Sequence, residues 1–210
     1  MTPTTPRVPS ALLRGSSRVL RPRDAADVYA NPRPEFARLS RAGALHRLAT
    51  GYYAVVPDDQ LDRGWIPELE AAALGIAAAD EGVDSVALMG LSAARIHGAI
   101  PRALAVAVVA ATRHRPTLRV ADREATVLFV RRRVAALDVQ RHTSELGQGW
   151  LTTVEQTVLD LAARPDLGGL PDQARTAAHA LLSRCDHQLL DELAVGQRRQ
   201  ASLARLRGAA

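Results

Sequence analysis

The chain has 210 residues, 47% of them apolar and only 3% aromatic, with 27 basic residues against 22 acidic ones and a net charge of +5. Every basic residue is Arg, which excludes, in their usual form, a Walker phosphate loop, a Schiff-base enzyme, a protein-kinase fold and a nuclease site with Lys beside paired carboxylates. The single Cys185 excludes an intramolecular disulfide and a multi-cysteine zinc site, and the longest apolar run, nine residues at 103–111, falls far short of the roughly 20 that cross a bilayer.

The first residues carry no apolar stretch resembling a signal peptide, so a soluble, cytoplasmic chain without membrane contact is expected. The charge is uneven. Residues 1–57 hold nine Arg against three acids, a net +6, while the remainder is close to neutral and residues 58–84 hold eight acids against Arg63 alone. A basic module ahead of a near-neutral body is the layout of a DNA-reading domain joined to an effector or partner domain. The boundaries expected are 10–57 for the basic domain, 58–66 for an acidic linker and 67–210 for the body. About 145 residues suffice for an independent core, so a fragment beginning near Trp65 is expected to fold.

Residues 1–7 read as a disordered lead rich in proline. Residues 9–14 predict a short helix, Val19-Leu20 an extended piece, and residues 24–30 a helix. Asn31-Pro32 is a helix start: Asn caps the free N–H groups and Pro suits the first helical position. Phe36 and Leu39 share one face, Arg33, Arg38 and Arg41 the other, and Gly43 ends the helix in a left-handed cap. Two apolar segments around Thr50-Gly51 then read as a β-hairpin. Helix, turn, helix and hairpin together predict a winged helix-turn-helix, with Arg23, Arg33, Arg38, Arg41, Arg47 and Tyr52 as DNA-binding candidates. Arg can bond guanine bidentately or hold phosphate.

In the body, the spacing of Leu69, Ala72, Ala73 and Ile76 predicts an amphipathic helix from Pro67 to Asp80. Residues 86–89 read as a buried strand, and Ser92 as the cap of a helix ending at Gly98. Strands are expected over 104–111, 117–120 and 125–130. The Arg131-Arg132-Arg133 run reads as a solvated strand exit. Two overlapping capping boxes, Thr152 with Glu155 and Thr153 with Gln156, open a helix to Ala163. Pro171 opens another, with Ala174, Ala177, Ala178, Leu181, Leu182 and Cys185 as one apolar stripe. Asp186 caps a shorter helix, and a basic tail helix follows with Leu203 and Leu206 inward and Arg198 and Arg199 in solvent. The class expected is α+β: the winged helix-turn-helix, then a mixed α/β domain with a helical C-terminal part.

Catalytic signals are weak. Gly90-Leu91-Ser92-Ala93-Ala94 resembles a nucleophile elbow, but Ala stands where the last Gly belongs. The six histidines have no metal-ligand spacing, and Asp160 lacks a second carboxylate and reads as a buried structural residue. No enzyme, metal or cofactor is expected.

Four segments resemble those of AbiEi-type antitoxins of bacterial toxin–antitoxin systems, in their actinobacterial form. They are Leu48-Ala49-Thr50-Gly51-Tyr52-Tyr53, Leu69-Glu70-Ala71-Ala72-Ala73-Leu74-Gly75, Gly90-Leu91-Ser92-Ala93-Ala94-Arg95-Ile96-His97-Gly98, and Thr153-Val154-Glu155-Gln156-Thr157-Val158-Leu159-Asp160-Leu161-Ala162. Gln156 stands where the family often has Arg. The resemblance spans about residues 20–185 and rests on the order and spacing of the segments. It implies a winged-helix domain that represses its own operon through inverted repeats in the promoter. It also implies a C-terminal domain that counters a cognate nucleotidyltransferase toxin, directly or through a shared target, in the manner classed as type IV. The alternative is a transcriptional regulator whose C-terminal domain senses a ligand or dimerises, with no toxin partner.

Overall fold

The computed structural model describes residues 7–208, apart from positions 16 and 62. The expected lead at 1–7 therefore lies, but for Arg7, outside the described residues. The fold is α+β, with seven helices and two sheets among the described residues.

The first sheet is small. Strand β1 (Val19–Leu20) pairs with β3 (Tyr52–Val55), which pairs with β2 (Leu45–Ala49), all antiparallel. Helix α1 (Pro32–Arg41) packs on it through Phe36 and Leu39, with Ala25, Ala44, Leu45 and Val55 completing the core. Phe36 meets the Tyr53 ring edge-on at 5.3 Å. The end of α1 is as its sequence predicts. Gly43 has φ +76°; its N–H bonds Ser40 O and that of Ala44 bonds Leu39 O, a Schellman closure. The start differs: Asn31 makes no side-chain capping bond. Its usual targets are the N–H groups of the second and third helical residues, and the third is Pro34, which has none.

The helix expected over 24–30 is a single 3₁₀ turn, Pro22–Ala25, followed by a turn. Residues preceding a proline are pushed out of helical conformation, so Pro32 ends any helix by Ala30. Of this stretch only Ala25 is buried, so little packing rewards a longer helix.

The second sheet has six strands in the order β6-β7-β5-β4-β9-β8: β4 (Ala87–Leu88), β5 (Val106–Ala111), β6 (Leu118–Arg119), β7 (Thr126–Arg131), β8 (Val139–Ser144) and β9 (Gly147–Thr152). β5 runs parallel to β7 and β4 parallel to β9; the other pairs are antiparallel. β5 explains its own sequence. Ala107, Val109 and Ala111 enter the core on one face, and Val106, Val108 and Ala110 the core on the other. A strand buried on both faces needs a continuous apolar run, not an alternation.

Helix α2 (Leu69–Glu81) covers the first face, and α3 (Gly90–Ile96), α4 (Val154–Ala163), α5 (Pro171–Leu182), α6 (His187–Gly196) and α7 (Gln200–Gly208) cover the second. The single apolar face expected of α2 is too narrow a description: all ten residues from Leu69 to Ala78 are buried. The sheet covers one side, and Val19, Leu48, Ala49 and Ala54 of the basic module cover the other. Gly75 permits this approach, since a Cβ there would lie 2.4 Å from Val19 Cγ2. β-branched Val19 cannot easily turn aside, so a mid-helix glycine is retained although Ala favours helix by about 1 kcal/mol.

Several capping expectations are met. Thr153 accepts the Gln156 N–H at 3.3 Å, Asp186 accepts those of Gln188 and Leu189, and Leu203 and Leu206 face the core. The second capping box does not form: Thr152 ends β9, and its hydroxyl bonds that of Thr157 at 2.8 Å. The solvated reading of the Arg-rich segments also needs correction. Arg132 and Arg199 both reach the buried Asp160, at 2.5 and 3.0 Å, with about a fifth of each side chain exposed. Gln156 bonds Asp160 and Gln197 in the same cluster. Asp160 is thus the buried structural residue expected, with partners that only the fold assembles.

Ser92 is not a helix cap. Met89 occupies the cap position, and the fully buried Ser92 hydroxyl accepts the N–H of Val108 from β5 at 2.9 Å. Ser92→Ala should therefore cost about 1–3 kcal/mol, the penalty for a buried donor left without an acceptor, and not the smaller loss of a cap. Denaturant unfolding measures it; a change within experimental error would mean that Val108 finds another partner.

Candidate nucleic-acid interface

The basic residues of α1 follow from its periodicity. With Phe36 and Leu39 inward, Arg38 and Arg41 emerge on the opposite side and Arg33, one turn before Phe36, at the flank, all exposed. Arg38 pairs with Glu35 of the same helix at 2.9 Å. Arg33 and Arg41 form no ion pair with any described residue. Arg47 lies exposed on β2 and donates to the Thr50 hydroxyl at the hairpin turn, 3.2 Å away.

Arg23 and Tyr52 are placed differently. Both reach Asp80, near the end of α2: the Tyr52 hydroxyl donates to one carboxylate oxygen at 2.6 Å and Arg23 to the other at 2.8 Å. Arg21 bonds the same carboxylate, and Arg115, from the segment between β5 and β6, approaches it at 2.8 Å. Arg115 also donates to the Tyr52 hydroxyl at 3.0 Å and lies over the Phe129 ring, 3.9 Å from its centroid. Burial pushes the Asp80 carboxyl up. The bonds from Tyr52 and Arg21 and the Arg115 charge outweigh that, leaving it below the usual carboxylate range. Burial, then the bond to Asp80, raises the Tyr52 phenol.

Beside this hub, between the start of α1 and the hairpin tip, lies a cleft of about 500 Å³. Arg21, Arg23 and Arg33 line it with Asn31, Thr50 and Tyr52, and no acidic residue does. Two groupings thus result from six candidates. Arg23, Arg33 and Tyr52 meet at the cleft, while Arg38 and Arg41 continue along α1 and Arg47 stands on the hairpin. Arg21, Asn31 and Arg115 were absent from the candidates. Arg21 belongs to the same basic stretch and could have been added on charge. Nothing local marks Arg115 or Asp80, because their relation to Tyr52 exists only across the contact between α2 and the hairpin.

That contact fixes the hairpin. Besides Asp80, the Ala121 N–H bonds Leu48 O at 2.7 Å, and His46 Nε2 lies 2.6 Å from an Asp122 oxygen. The Arg18 N–H bonds Leu146 O at 2.9 Å. The Arg face of α1 is therefore held at a set angle to the body.

Elsewhere, the chemistry for nucleophilic attack is poor. Ser92 is sealed in the core. Burial, with Glu155 nearby, pushes the Cys185 thiol up to about 12, which keeps it protonated and unreactive. Among the described residues no cluster of His, Cys, Asp and Glu could hold a metal ion, and no helix is long and apolar enough to cross a membrane. No family model matches the chain, and no curated protein matches it.

Proposed function

We propose that the chain is a DNA-binding autorepressor and the antitoxin of a type IV-like, AbiEi-type toxin–antitoxin pair, acting in the cytoplasm without enzymatic activity of its own. The observation that carries the DNA reading is the exposed Arg33, Arg38 and Arg41 face of α1 beside a hairpin bearing Arg47. In this reading α1 is the recognition helix, the hairpin is the wing, and the turn at Pro22–Ala25 is a reduced first helix of a winged helix-turn-helix. The body counters a cognate nucleotidyltransferase toxin, directly or through a shared target; order and spacing of the four family-like segments support this half. The second reading, a regulator that senses a ligand or dimerises and has no toxin partner, draws on the cation-lined cleft, which lies in the basic module and not in the C-terminal part where the sequence puts the sensor.

The test is binding to the DNA upstream of its own reading frame. With about six Arg on phosphates, log K should fall against log salt with a slope near −5, from about −0.9 per contact. Arg38→Glu should abolish most of this binding. The fold should survive it, because the Arg38–Glu35 pair is solvent-exposed and such pairs contribute at most about 1 kcal/mol. Equal gel shifts for variant and parent, with unchanged salt slope, would remove α1 as the recognition helix. Growth rescue on co-expression with a neighbouring nucleotidyltransferase separates antitoxin from plain regulator.

A further inference from the structure

The cleft between the start of α1 and the hairpin differs from an ordinary basic surface in two respects. Its charged lining has one sign, three Arg and no acid. Its remaining wall is largely apolar, from Pro22, Ala26, Ala30, Pro32 and Pro34, with the Tyr52 ring. A phosphate on bare DNA backbone needs cations but no apolar wall of this extent. At about 500 Å³ the space falls within the usual size of small-molecule sites, which are mostly apolar with a few placed polar groups.

The cations are not supplied by the helix end. Pro32 and Pro34 have no N–H, so the first three residues of α1 offer only that of Arg33. Guanidinium groups and the Asn31 amide, which no capping bond engages, must do the work. Arg21 is held by Asp24 and Asp80 and positions the wall. Arg23 is two-thirds exposed; one terminal nitrogen bonds the largely buried Asp80 at 2.8 Å, and the other bonds no described residue and can meet an anion. Arg33 has no ion-pair partner among the described residues.

From this juxtaposition we infer that the cleft is a site for a phosphate ester of mononucleotide size, with its phosphate on Arg23, Arg33 and Asn31 and its organic part against the proline and alanine wall. Two sources share this chemistry, a nucleotide of a bound DNA strand and a free nucleotide, and the experiment below distinguishes them. The inference shares Arg33 with the DNA reading of α1, while Arg38 and Arg41 lie outside the cleft and belong to the DNA reading alone.

The experiment is an NMR titration of the full chain with AMP, adenosine and inorganic phosphate, following the backbone amides of Arg33, Thr50 and Gly51. AMP should shift these amides saturably, and adenosine should bind about tenfold or more weakly, the loss expected for a missing charge-assisted contact. Arg33→Gln should weaken AMP by a similar factor at unchanged melting temperature, while Arg41→Gln, outside the cleft, should leave AMP affinity as it is. Displacement of AMP by a duplex from upstream of the reading frame identifies the DNA strand as the source; a ternary complex identifies a free nucleotide. No shift at these amides with AMP, or equal AMP affinity for the parent and Arg33→Gln, overturns the site. Loss of duplex binding in Arg41→Gln, or its retention, reports on the recognition helix separately.

Discussion

Asp160→Ala should lower the melting temperature of the full chain by about 6–20 °C. Asp160 is 3% exposed and receives Arg132 from the end of β7, Arg199 from between α6 and α7, and Gln156 from its own helix. Removing the carboxylate leaves two guanidinium groups, about four-fifths covered, without a counter-charge. Breaking a buried pair in this way costs about 3–5 kcal/mol, and at this size each kcal/mol moves the melting point by about 2–4 °C. The damage should be local first: α6 and α7 depend on this cluster and should show accelerated amide exchange before the sheet does. Arg199→Ala should cost less, since Arg132 still neutralises Asp160, but more than a change on the solvated tail expected of it, because Arg199 is about four-fifths covered and bonded to Asp160. An unchanged melt for Asp160→Ala would mean that the two Arg side chains reach solvent at little cost.

Deleting residues 1–64 should unfold or aggregate the remainder. A 65–210 fragment is near-neutral and long enough for a core, but α2 would lose the cover of Val19, Leu48, Ala49 and Ala54. It would also lose the main-chain bonds from the Arg18 N–H to Leu146 O and from the Ala121 N–H to Leu48 O. Asp80 would lose Arg21, Arg23 and Tyr52 together, keeping Arg115 alone. An all-apolar helix face turned to water invites association. The fragment should therefore bind a hydrophobic dye, melt without cooperativity and fail to rescue cells from the proposed toxin. A monomeric 65–210 fragment with a sharp melt would show that the α2 face tolerates solvent, and rescue by it would return the two activities to separate parts of the chain. The basic module alone should fare no better, since Val19, Leu48 and Ala54 lie on the same seam.

Elements with local signatures were legible in the amino-acid sequence. Asn31-Pro32 and Gly43 bracket α1, Thr50-Gly51 turns the hairpin, Thr153 and Asp186 cap their helices, and the apolar run at 103–111 contains β5. Each depends on backbone preferences or capping bonds within a few residues, so the chain states them wherever it folds. The exposed Arg residues of α1 belong here too, because helical periodicity alone puts Arg38 and Arg41 opposite Phe36 and Leu39 and Arg33 at the flank.

What depends on distant neighbours was not legible. The β8–β9 hairpin carries no strand pattern: β8 is an edge strand that is mostly polar, and β9 contains Gly147 and Gly149. Gly149 looks like a strand breaker, yet a Cβ there would lie 2.5 Å from Leu74 Cδ2; the glycine admits α2. Ser92 resembled a cap because its acceptor role needs β5, sixteen residues on. Burial of Asp160 is readable from its helix, but its partners Arg132, 28 residues before it, and Arg199, 39 residues after it, read as surface charge in the sequence alone. Composition placed the positive charge in the first quarter of the chain. Only tertiary packing decided which of those Arg side chains stay free, because Asp80 reaches Arg21, Arg23 and Tyr52 solely where α2 is buried beneath the hairpin. Local sequence specifies helices, turns and faces through short-range sterics and hydrogen bonds; the pairing of charges across 50 residues or more is specified by the packing that brings them together.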